Sequence, residues 1–256
     1  MARQSLLRRK PEILVSPLLL VLLIILMEYV IIPVFHIPSW IIPPPSVVFN
    51  TLISSFKREI LPHFLVTLVE LFSGYGMAVI LGIGLAAFIT QFRFLEQVLA
   101  PYIILMVTMP IVSLVPLLLI WLGVGMITKI VAVTIAAFPP IMMNAVTGFR
   151  NTDSLKLDLM HSLSATKIQT FVKVRFPCAL PNIFTGLILG AITSLITCIA
   201  AEFLGGSTGL GYLVVVYSSI LNVKGLFAVI IIIALLGIGF YELIVFIQHL
   251  VIRWPQ

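Results

Sequence analysis

Apolar residues fill this chain in long blocks, and the polar positions fall into the short intervals between them. At about 1.5 Å rise per residue, about 20 apolar residues cross a hydrocarbon core of about 30 Å. The blocks predict spans over Ile13 to about Phe35, about His63 to Thr90, about Val98 to Leu122, Ile127 to Gly148, Ile183 to about Phe203 and about Leu226 to Val251. The expectation is an all-α, polytopic membrane protein with about six transmembrane helices in one transmembrane domain, 1–256. Its first helix lies at 13–35 and its core at 63–251.

The interruptions carry further information. Pro43, Pro44 and Pro45 cannot continue a helix, so Pro38 to Pro62 reads as an external connection with Ser46 as the cap of a short surface helix. Gly74, Ala78, Gly82 and Ala86 recur every four residues, as do Gly186, Gly190, Ser194 and Cys198, and such rows let a second helix approach closely. The third span carries Pro101, Pro110 and Pro116 and the fourth carries Pro139 and Pro140. Each proline frees backbone groups that lipid cannot satisfy, which argues for a protein-lined third span. The interval Leu204 to Lys224 holds Gly205, Gly206, Gly209 and Gly211.

Composition confirms the class. Of 256 residues, 61% are hydrophobic and 9% charged, against about 25% charged in soluble domains. The net charge of +6 would suit nucleic acid, but the basic residues sit in short interruptions rather than on one binding face. They read instead as topology signals. Eleven, including Arg3, Arg8, Arg9, Lys10 and Arg93, fall on the side of the amino terminus, and four, Lys57, Arg58, Lys129 and Lys224, on the other. The positive-inside rule then places both termini in the cytoplasm. The first apolar run begins like a signal peptide but is longer than an h-region of about 7–15 residues and shows no small-x-small cleavage site.

Few residues carry chemistry. Cys178 and Cys198 have no paired spacing and read as packing residues, and His36, His63, His161 and His249 are scattered, so neither a metal site nor an intramembrane enzyme is expected. Glu28 reads as an interfacial acid. Buried acids can mark proton paths, so a single-chain secondary transporter using Glu70, Glu202 or Glu242 remains an alternative.

The one long polar interval, Arg150 to Pro181, holds seven charged residues. Thr152 or Asp153 can cap a helix bearing Leu155, Leu159 and Leu163, and a second short helix fits Lys167 to Val174, with Ile168, Phe171 and Val172 on one face. Two amphipathic helices meeting around Ser164 to Thr166 can either lie on the membrane or enter a groove on another protein.

This interval resembles the cytoplasmic signature of ABC-importer permeases, E-A-A, three residues, Gly, nine residues, I-x-L-P. Asp158-Leu159-Met160 falls on E-A-A, Ser164 on the glycine, Val174 on the isoleucine and Phe176-Pro177 on L-P. Further segments resemble the nitrate/sulfonate/taurine-type subgroup: Pro43-Pro44-Pro45-Ser46 with Val48, Thr67-Leu68 with Gly74, Met109-Pro110 through Pro116-Leu117, Trp121 to Gly125, Ala201 to Leu204, and Gly209 to Tyr212. Glu70 stands where that subgroup usually has an arginine.

The resemblance implies a type I ABC importer permease fold in a prokaryotic plasma (cell inner) membrane, with a permease core at 63–251 and a cytoplasmic coupling loop at 149–182. It implies as partners ABC ATPase subunits, an extracytoplasmic substrate-binding protein and a second permease subunit. Asp158, Leu159, Met160, Leu163, Ser164, Ala165 and Lys167 would couple to the ATPase. Met106, Met109, Pro110, Ser113, Thr193 and Thr197 would line the pathway, and Glu202, Gly205 and Gly206 would shape an outer gate. No G-x-x-x-x-G-K-[ST] occurs, so ATP and Mg are expected on the partner and no cofactor on this chain. The implied cargo is a small anion or small organic solute of the nitrate, sulfonate, taurine or vitamin/pyrimidine precursor type.

Overall fold

A computed structural model describes residues 22, 25–36, 38–92, 98, 101–103, 105–106 and 108–253. Its elements are helical: α1 (Pro45–Ser55), α2 (Leu61–Ile89), α3 (Val115–Leu122), α4 (Met126–Arg150), α5 (Ser154–Ser162), α6 (Lys167–Thr170), α7 (Phe176–Gly205), α8 (Leu210–Ser219) and α9 (Val223–Val251). The described chain divides into two compact units, Met1–Leu61 with Val214–Ile231 and Pro62–Leu213 with Ile232–Gln256.

Among the described residues, four helical stretches are long and apolar enough to cross a membrane: Pro45–Ile89, Met126–Arg150, Lys167–Gly205 and Val223–Val251. They contain the predicted second, fourth, fifth and sixth spans. The first part of the predicted first span, residues 13–21 with 23 and 24, lies outside the described residues, as do residues 99–100, 104 and 107 of the third. The described end of the third span is broken, as its prolines predict. Pro110 is extended at φ −71°, ψ 93°, a 3₁₀ turn follows over Ile111–Leu114, and α3 starts with Pro116 in its first turn, where a missing N–H costs no helical bond.

In the smaller unit, the Ser46 N–H donates to Glu28 Oε2 at 3.2 Å. The sequence reading made the Ser46 side chain the cap of α1. It is not: Pro44 is the capping residue, with no side-chain bond, and the free N–H of Ser46 is met by the Glu28 carboxylate. Tyr217 donates its hydroxyl to Glu59 Oε2 at 2.7 Å in the same unit.

The larger unit is built around α4. Thirteen of its 25 residues are buried, which makes it the central helix of this unit. Both small-residue rows face it. A Cβ on Gly74 would lie 2.7 Å from Val133 Cβ, and one on Gly82 3.0 Å from Ile141 Cγ2. From the other side, a Cβ on Gly186 would lie 2.8 Å from Asn144 Cβ, and one on Gly190 2.7 Å from Ile141 Cγ1. Ile141 is thus a fully buried knob between glycine notches on α2 and α7. Toward the end of α4, Met142, Ala145 and Phe149 pack with Ala86 and Ile89 of α2 and Ala179 and Ile183 of α7.

Candidate functional site

Two features of the larger unit combine polar chemistry with an unusual position. The first is the interval between α4 and α7. Asp153 accepts from the Leu155 N–H at 3.0 Å and caps α5, so of the two capping residues considered the aspartate serves. Thr166 and Gln169 form a reciprocal capping box, at 2.9 and 3.3 Å, that starts α6.

Between them the chain turns at Ser164, whose φ is +53°. The Ser164 N–H bonds the His161 carbonyl and the Ala165 N–H bonds the Met160 carbonyl, which together form a Schellman closure of α5. This is the position at which the permease signature places glycine, so the backbone conformation is present while the residue differs. A left-handed non-glycine residue costs about 1–2 kcal/mol. Ser164→Gly is therefore expected to stabilise the turn by about 1 kcal/mol, read as slower limited proteolysis between α5 and α6 in the purified chain.

The second short helix predicted over Lys167 to Val174 is not separate. α6 passes through a π turn, Phe171–Arg175, directly into α7, and Lys167–Gly205 is one continuous helical stretch that contains Pro177 and Pro181. The wider π turn just ahead of Pro177 loosens the hydrogen-bond ladder where that residue offers no N–H, and the helix continues. Phe171 packs against Phe149 with tilted rings 5.2 Å apart, fastening the base of the interval to α4.

The apolar side chains of this interval find no cover within the chain. Leu155, Leu159, Leu163, Ile168 and Val172 are 60–76% exposed. Asp158, Ser164 and Lys167 are exposed as well, whereas Met160 and Ala165 are half-buried.

The second feature is a buried polar clasp. His63, Thr67 and Glu70 follow one another on one face of α2, at the i, i+4, i+7 spacing of a helix. Each holds part of the glycine-rich segment or the groups beneath it. His63 Nδ1 accepts from the Gly209 N–H at 3.0 Å, and its ring stacks on Tyr212 at 5.8 Å. Thr67 Oγ1 accepts from the Leu210 N–H at 2.9 Å and donates to Glu202 Oε1 at 2.6 Å. Glu202 Oε2 accepts from the Gly211 N–H at 2.6 Å. These bonds satisfy N–H groups at the start of α8 that its own turns leave free.

Lys129 completes the clasp. Its Nζ bonds Glu70 Oε1 at 2.8 Å and the Thr208 carbonyl at 3.0 Å, and both side chains of the ion pair are almost wholly buried. The charge count places Lys129 with the external basic residues, at the start of the span predicted from Ile127. It is instead an internal partner, and it leaves the tally of topology signals. Gly209, at φ +110°, has room for no side chain, because a Cβ there would collide with the Glu202 carboxylate.

Of the predicted gate residues, Glu202 is at the centre of the clasp, while Gly205 and Gly206 lie at the end of α7 against Leu119 and the Glu202 backbone. The predicted pathway residues are more dispersed. Met109, Pro110 and Ser113 are exposed, Met106 and Thr193 are half-buried, and Thr197 is buried. Thr193 Oγ1 reaches the Ala136 carbonyl of α4 at 3.3 Å. Glu242, the third acid considered for a proton path, is exposed.

Comparison with known proteins gives a consistent result. Residues 78–253 match the family described as "Binding-protein-dependent transport system inner membrane component". A protein of Haemophilus influenzae named as a probable ABC transporter permease is 29% identical over 92% of this chain and 96% of its own length. The riboflavin transport system permease RibX of Chloroflexus aurantiacus is 27% identical over 85% of this chain and 81% of its own, and the taurine transport system permease TauC of Escherichia coli is 29% identical over 68% and 65%. In fold, the chain resembles a structure of the methionine ABC transporter MetNI in an inward-facing conformation, with TM-score 0.67 at 18% identity over 75% of this chain and 95% of that one.

Proposed function

Since the chain belongs to the binding-protein-dependent transport system inner membrane component family, the permeases of ABC importers, we propose that its α5–α6 interval is the element that docks an ABC ATPase subunit. The observation that carries this reading is the uncovered apolar row Leu155, Leu159, Leu163, Ile168 and Val172, set on a capped and therefore well-defined turn between two spans. An apolar row of this size calls for a groove to fill, and flanking Asp158 and Lys167 give the contact a polar rim. Closure of the ATPase dimer on ATP would move this handle and bias the packing of the spans between two states.

The rest of the assignment follows the same premise. A second permease subunit, identical or related, would complete the pathway, with Met109, Pro110 and Ser113 of the broken third span facing it and Met106, Thr193 and Thr197 deeper in. A substrate-binding protein would deliver the cargo from outside, where the clasp at Glu202 and the glycines that follow it would form the gate. The cargo would be a small anion or small organic solute, in keeping with the riboflavin and taurine permeases among its relatives. The family assignment gives no support to a single-chain secondary transporter.

The test is Leu159→Arg combined with Leu163→Glu. Both residues are exposed, so the fold is expected to persist. Co-purification of the ATPase with the tagged permease is expected to fall at least tenfold, and uptake in cells with it. Unchanged co-purification and uptake would sink the docking assignment.

A further inference from the structure

The clasp gathers more negative than positive charge. Among the described residues, Glu70, Lys129 and Glu202 are the buried charged side chains, two carboxylates to one ammonium. A buried charge without a partner is costly, so the arrangement has to be balanced locally. The neighbouring titratable groups supply nothing. His63 accepts at Nδ1 from the Gly209 N–H, which requires that nitrogen to be unprotonated, and the Cys198 thiol is at most neutral.

Hydrogen-bond capacity identifies where the missing charge belongs. Both Glu202 oxygens already accept, from Thr67 and from Gly211. Glu70 Oε1 accepts from Lys129. Glu70 Oε2 is fully buried and has no hydrogen-bond partner, and a carboxylate oxygen of Glu70 lies within 4.8 Å of one of Glu202. Two carboxylates face to face repel each other, whereas an acid facing a carboxylate forms a short, strong hydrogen bond.

We propose that this clasp is a binding site for one proton, held on Glu70 Oε2 and donated to Glu202. One proton taken from water turns the Glu70 carboxylate into a carboxylic acid, and Lys129 then offsets the one remaining carboxylate. The three side chains become neutral as a group, and the orphaned oxygen becomes a donor. A metal ion is the other charge that could balance the site, since Glu70, Cys198 and Glu202 each offer an atom within 4.8 Å of the others. The Lys129 ammonium 2.8 Å from Glu70 Oε1 opposes a second cation there. The proposal concerns this chain alone and does not depend on the docking assignment.

The experiment is infrared spectroscopy of the full-length chain purified in detergent at neutral pH, together with thermal unfolding and metal analysis. The wild type is expected to show a protonated-carboxyl stretch. Glu70→Gln should abolish the band yet hold its unfolding midpoint to within about 2 °C, because the amide keeps the acceptor for Lys129 and supplies an N–H to Glu202. Glu202→Gln should abolish the band and also lower the midpoint by about 5 °C or more, since one oxygen cannot serve both Thr67 and Gly211. A wild type with no such band, a band that survives Glu70→Gln, a Glu70→Gln midpoint as low as that of Glu70→Ala, or one tightly held metal ion per chain would each overturn the proposal.

Discussion

Lys129→Met is expected to be among the most damaging single substitutions in the chain, by about 3–5 kcal/mol, the usual cost of removing one partner from a buried ion pair. The ion pair with Glu70 is 2.8 Å long with almost no exposure, so no water replaces the lost ammonium. The Thr208 carbonyl loses its donor in the same change, and with it the glycine-rich segment loses one of its ties to the bundle. In a chain of 256 residues such a loss corresponds to a midpoint lower by about 6–15 °C, measurable by thermal unfolding in detergent. Lys129→Met with Glu70→Leu should recover only part of it, because the apolar pair removes the unmet Glu70 oxygens while the buried Glu202 carboxylate, held by Thr67 and Gly211, keeps its charge. Equal instability of the single and double variants would mean that the tie to Thr208, and not the charge, dominates.

Gly186→Val is expected to be nearly as severe. Two of the three nearest atoms to an added Cβ are backbone, Ile141 Cα and the Pro140 carbonyl, both at 3.1 Å, and the third is Asn144 Cβ at 2.8 Å. No rotamer change can clear backbone, so α7 must back away from α4. Moving it opens the glycine notch at Gly190 that holds Ile141 from the α7 side. Overpacking commonly costs about 1–3 kcal/mol, and the upper end or beyond applies where the strain is spread along a helix pair. Gly84→Val is the control, since a Cβ at Gly84 meets nothing within 4 Å. A midpoint that falls for Gly186→Val and stays for Gly84→Val would tie the loss to the helix contact rather than to glycine content.

The helix contacts were legible in the sequence because close approach has a local signature. A small residue every fourth position marks one face of one helix, and both such faces proved to meet α4. The exposed turn between α5 and α6 was legible for a similar reason: its caps, Asp153 and Thr166, sit beside the helices they start. The clasp was not. Glu70 and Lys129 are 59 positions apart, and Thr67 and Glu202 are 135 apart, so nothing near any of them announces the others. Lys129 was misplaced because a lone lysine near the start of an apolar block looks the same whether it meets water or a buried carboxylate. The only local trace was the spacing of His63, Thr67 and Glu70 on one face of α2. The continuity of α6 with α7 was hidden as well, because prolines read as interruptions unless the π turn ahead of them is known.

That continuity joins the two features mechanically. The stretch Lys167–Gly205 is 39 residues long, a rod of about 58 Å. The uncovered leucines lie just before one end, and Glu202 is three residues from the other. Tilting a rod of that length by about 10° about one end carries the other through about 10 Å, far more than the bonds from Thr67 and Gly211 to Glu202 can stretch. A torque applied at the turn between α5 and α6 would therefore reach the clasp as leverage, through the five-residue π turn at Phe171–Arg175.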